Sequence, residues 1–248
     1  MEEITKDKMS YRIGAYAALM ALAIVLIEGI VILIIQVVWL NPGQFGASFG
    51  GQPSTIIGWF QLFEKNRLVG LLDDAVLDIA VAALLIPLFF ALFAALRQAN
   101  KAWMAVATSL VLAGVAAYVA TNTSISLLYV SDQYWAATTD AQRSLLLAAG
   151  QATIAAGGYG LFESTGFLLV VVAGLIVSAV MLRSKLFFKA TAWIGILANG
   201  FFLANYLINF TLFPASSTES STLVGIASFL MFIGWILIAL KLFQLGHA

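Results

Sequence analysis

Long apolar runs recur along the chain, separated by short polar or Gly- and Pro-rich stretches. Six stand out: about Ile13 to Trp39, Ala75 to Leu96, Ala102 to Thr121, Gly160 to Leu182, Ala190 to Phe213 and Leu223 to Leu245. An extension of the third to Val130 is left open. As a helix, each run is long enough to cross roughly 30 Å of hydrocarbon. The pattern predicts an all-α polytopic membrane protein, a six-transmembrane-helix bundle forming a single domain over residues 1–248. The opening MEEITKDKMSYR mixes acids and bases, and the apolar run after it exceeds the roughly 7–15 residues of a signal-peptide core. That segment reads as a retained first span.

The connections are asymmetric. RQANK and RSKLFFK are tight and basic, which makes their flanking helices antiparallel neighbours. Two loops on the opposite side are long. The first is broken by Gly and Pro and then offers Ile56, Ile57, Trp59, Phe60, Leu62 and Phe63, a segment suited to lying in the headgroup layer. The second contains TDAQ, in which Thr139 can cap a helix and Gln142 can reach back in a capping box. A short interfacial helix from about Asp140 to Ala156, stopped by Gly157 and Gly158, follows. Ala105, Ser109, Ala113, Ala117 and Thr121 share one face of the third span, and Gly166, Gly174 and Ser178 share one of the fourth. Such small residues let helices approach closely in lipid.

Basic residues orient the bundle. One side collects Lys6, Lys8, Arg12, Arg97, Lys101, Arg183, Lys185, Lys189 and Lys241, whereas the long loops keep Lys65, Arg67 and Arg143. Both termini are therefore expected in the cytoplasm (N-in, C-in). Composition agrees with the membrane assignment: 62 % of residues are hydrophobic and 10 % charged, against about a quarter charged in soluble domains. Net charge is zero, so nothing suggests nucleic acid as a partner. Cysteine is absent and the single histidine is His247, so thiolate and multi-histidine metal sites are excluded and no cofactor is expected. The expected partners are membrane lipids, with another membrane protein or a second copy of the chain as candidates.

Polar residues inside the spans carry the remaining chemistry. Asp73 and Asp74 fall where the second span begins, and carboxylates at a helix N-terminus are stabilising, with Lys65 and Arg67 as available counter-ions. Asp78 lies one turn deeper, about 6 Å further in, where a carboxylate must face the bundle interior or water. Glu28 sits a little beyond the middle of the first span, with Gln36 two turns on, and Glu163 opens the fourth. The fifth span adds Asn199, Asn205, Tyr206 and Asn209 within one arc, and Asn122 ends the third. Glu28, Gln36, Asp74, Asp78, Asn122, Glu163, Asn205 and Asn209 all fall in the outer half. A channel or carrier needs polar groups along its whole path, so this gradient favours a pocket open to the outer side.

The stretches FEKNRLVGLLDDAVLDIAVAALLIPLFFAL, SDQYWAATTDAQRSLLLAAGQA, SAVMLRSKLFFKATAWIGILAN and KLFQLG resemble an uncharacterised family of prokaryotic six-span membrane proteins, catalogued as domain of unknown function 4386. The resemblance runs from about Phe63 onward and implies the six-span fold and a bacterial or archaeal plasma membrane. It implies no activity, and GGYGLFESTG stands outside its pattern, leaving Glu163 without support from it. The expected function is a non-catalytic accessory subunit or partner-binding component. A small-molecule or lipid binding or transport protein using the outer polar pocket is the alternative. An intramembrane acid/base enzyme built on Asp78 and Glu28 ranks third, because no nucleophile, metal set or cofactor motif stands beside them.

Overall fold

A computed structural model of the protein describes residues 2–34, 53, 55–157, 165–211 and 218–247. Five helices among these are long and apolar enough to cross a membrane. The first, α1 (Glu2–Ile34), is unbroken over 33 residues, about 50 Å at 1.5 Å per residue. Helix α2 (Ile56–Lys65) starts at Thr55, whose hydroxyl accepts from the Gly58 amide. Asn66 ends α2 and caps α3 (Arg67–Leu71), its side chain accepting from Val69 N. One π-helical turn, Leu72–Val76, then leads directly into α4 (Leu77–Thr121), with the Leu77 amide bonded to Leu72 O.

This start corrects the expectation for Asp73 and Asp74. The helix begins at Arg67, more than a turn earlier, and the Asn66 side chain caps it at the Val69 amide. The two aspartates fall in the π-turn instead, and their side chains lie outside the described residues.

Helix α4 breaks at Asn100, where the backbone is extended (φ −163°, ψ 93°). The Asn100 side chain accepts from Trp103 N at 3.1 Å and so caps the second limb. The limbs fold back on each other. Asp78 and Tyr118, which a straight helix would hold about 60 Å apart, are in hydrogen-bond contact at 3.1 Å. RQANK is thus the tight turn its composition suggested. The second limb ends at Thr121, as expected, and does not extend to Val130. The chain breaks at Asn122, whose Oδ1 accepts from Ser124 N, and restarts as α5 (Ser124–Ala136).

Helix α6 (Asp140–Gly157) occupies the span expected of the second loop. Thr139 Oγ1 accepts from Gln142 N, and Gln142 Oε1 reaches back to the Thr138 amide. Helices α7 (Thr165–Arg183), α8 (Lys189–Thr211) and α9 (Thr218–His247) complete the chain.

Two bodies of packing result. In the larger, α1 packs on α4, α4 on α7, α7 on α8, α8 on α9, and α9 back on α1, closing a ring. In the smaller, α2, α5 and α6 pack together over Trp59, Phe60, Leu62, Phe63, Leu127 and Ile154. The aromatic face of α2 is therefore covered by protein. The Phe60 carbonyl also accepts from Ser131 Oγ and Trp135 Nε1 on α5, and Arg67 pairs with Asp132.

The basic end of the ring is clamped differently. Arg97 pairs with Asp7 at 2.8 Å, and Arg12 Nε donates to Gly246 O at 3.1 Å, so the start of α1 lies beside the end of α9.

The small-residue seams divide. Ala105, Ser109, Ala113 and Thr121 are exposed and Ala117 is half-buried, so the predicted seam of the third span faces away from the bundle. The packed face carries Met104, Ala107, Val111, Gly114 and Tyr118. A methyl on Gly114 would stand 2.6 Å from Gly166 O, and one on Gly166 would stand 2.7 Å from Tyr118 N. Backbone meets backbone there. In the fourth span Gly166, Gly174 and Ser178 do face neighbouring helices, as their spacing suggested.

Candidate functional site

Asp78 is the most deeply placed acid with a described partner. Its side chain is 3 % exposed, and Tyr118 Oη donates to Asp78 Oδ2 at 3.1 Å across the α4 hairpin. The π-turn ends two residues before it. Such a turn leaves one residue out of the ordinary helical ladder, an irregularity frequent at functional sites. Tyr118 was missed from sequence, although the tight turn at Asn100 brings it within about one turn of the register opposite Asp78.

The other sequence candidates separate. Glu28 is half-buried on α1. Asn205 is buried on α8, one turn beyond Phe202, which stacks edge-on against Phe167 of α7 at 5.2 Å. Asn122 is half-buried and its Oδ1 serves the entry to α5, a local turn role. Gln36 and Glu163 lie outside the described residues, as do the side chains of Asp74 and Asn209.

A second polar arrangement joins α7 to α8, and it is reciprocal. Ser178 Oγ donates to Gly174 O at 2.7 Å, and Asn199 Nδ2 donates to Gly195 O at 2.8 Å. Each polar side chain thus returns to the carbonyl four residues back on its own helix. Each of those carbonyl residues is a glycine that makes room for the other helix's polar group. A methyl on Gly174 would overlap the Asn199 amide, standing 2.7 Å from its Nδ2, and one on Gly195 would overlap Ser178 Oγ. Gly–x₃–Ser facing Gly–x₃–Asn, antiparallel, lets two helices close tightly while both polar donors of the pair are bonded. The sequence displayed Gly174, Ser178 and Asn199, and only the antiparallel register reveals that they interlock.

Beside this interlock lies a cavity of about 70 Å³, lined by α4, α7, α8 and α9. Its walls are apolar except for Ser178, Thr191 and Asn199. It reaches toward the basic end of the ring, since Met181 and Thr191 line it two residues from Arg183 and Lys189. The cavity is therefore distinct from the outer polar cluster that the sequence suggested. Among the described residues, no three acids or histidines converge as a metal site.

No curated protein and no solved structure matches the chain. Residues 69–240 match the family model described as Domain of unknown function (DUF4386), so the chain belongs to that family.

Proposed function

We propose that this chain is a multi-pass protein of a bacterial or archaeal plasma membrane and acts as an accessory subunit or partner-binding component. Six crossings belong to this reading, and the support is the fold-back at Asn100, which divides α4 into two limbs beside α1, α7, α8 and α9. Both termini are cytoplasmic. The support is the nine Lys and Arg residues gathered toward one end and the Arg12 contact that brings the start of α1 to the end of α9.

One observation carries the functional reading. The intramembrane polar side chains with described bonds spend them inside the bundle: Asp78 with Tyr118, Ser178 with Gly174, Asn199 with Gly195 and Thr108 with Met104. The Asp78–Tyr118 bond ties the two limbs of α4, and the other three return to carbonyls of their own helices, so these groups serve the structure of the bundle. A second reading keeps an outward-open polar pocket around Asp78 and Glu28, and is favoured by the burial of Asp78 beside an irregular helical turn. Carboxamide variants separate the two. Under the component reading, Asp78→Asn and Glu28→Gln still co-purify stoichiometrically with the partner polypeptide extracted from the native membrane. Loss of the partner from folded carboxamide variants would place these acids in the working site instead.

A further inference from the structure

We infer that the cavity between α4, α7, α8 and α9 is a binding site for a neutral single-chain amphiphile, a long-chain alcohol. Its shape is the first reason. The lining runs along α7 from Phe167 to Met181, about 21 Å of helix. A cavity that long with only about 70 Å³ of free space is narrow, and an extended methylene chain suits it better than a ring system.

Charge is the second reason. No lining residue is ionisable, and a buried charge without a partner is costly, so a carboxylate or phosphate head does not fit. The third reason is the polar chemistry of the wall. Ser178 and Asn199 already donate protons to the Gly174 and Gly195 carbonyls. Their oxygens retain acceptor capacity, which suits a head group that donates, as a hydroxyl does.

The test uses the full chain in lipid nanodiscs with a long-chain alkyl alcohol carrying a mid-chain diazirine. Photolabelling is expected on lining residues such as Val177 and Met231. Unlabelled alcohol should compete at least tenfold better than the carboxylate of equal length. Gly234 lines the cavity with room to spare, since a methyl there would meet only Ile194 Cγ2 at 3.6 Å. Gly234→Leu should therefore lower lining labelling at least tenfold while the Tm is kept. Equal competition by the carboxylate would overturn the inference. So would label confined to exposed residues such as Trp193 and Phe229, or full lining labelling in a folded Gly234→Leu variant. The competition arm uses the unaltered chain and decides the matter even where Gly234→Leu does not fold.

Discussion

Replacing Gly174 by alanine tests the α7–α8 interlock. The new methyl would overlap the Asn199 amide, standing 2.7 Å from its Nδ2, so Asn199 must move or the helices must part. Moving Asn199 gives up its 2.8 Å bond to Gly195 O. That bond lies within α8, where a net hydrogen bond is worth about 0.5–1.5 kcal/mol, and overpacking a close contact adds about 1–3 kcal/mol. Gly174→Ala should thus cost about 2–4 kcal/mol. Asn199→Ala alone loses the bond and leaves space, but in the double variant the methyl occupies the space the amide vacates. The pair should recover about 1–3 kcal/mol relative to the sum of the single changes. The assay is SDS-driven unfolding in mixed micelles, followed by tryptophan fluorescence. Additivity within about 0.5 kcal/mol, the limit for uncoupled sites, would refute the interlock.

Three further outcomes follow. Gly166→Ala should destabilise more than Gly174→Ala in the same titration, because its methyl meets the Tyr118 backbone nitrogen at 2.7 Å rather than a movable side chain; an equal or smaller loss would contradict the close backbone contact. Tyr118→Phe removes the donor to Asp78 and should cost about 0.6–1.7 kcal/mol, much of it abolished when Asp78 is already Ala; an unchanged cost in that background would mean the pair is not coupled. The chain has no cysteine, so Lys185→Cys and Arg143→Cys report topology cleanly: in intact cells an impermeant thiol reagent should label only the cysteine at position 143.

Much of the helical framework was legible because lipid demands long apolar helices whose ends are marked by polar punctuation. The stop at Thr121, the tight turn around Asn100 and the capped helix from Asp140 all follow from local chemistry that tertiary packing does not override. Faces were harder. In water a buried face is the apolar one, but a helix in lipid is apolar all round, so hydrophobic periodicity does not mark the inside. Two faces of the third span carry small residues, and the more regular stripe through Ala105, Ser109 and Ala113 is the exposed one. The π-turn escaped notice because Leu72–Val76 has no Gly or Pro, and the helix instead starts from the modest cap at Asn66. Pairings across helices, Tyr118 with Asp78 and Gly174 with Asn199, need a register that no single span contains. The cavity needs four helices at once.

Native mass spectrometry on protein extracted gently from its own membrane, with lipids retained, tests the proposed role most directly. The expected result is stoichiometric co-release of another polypeptide, kept in Asp78→Asn and lost when Gly174→Leu disturbs the α7–α8 seam. A lone chain, released without any polypeptide partner, would contradict the component reading.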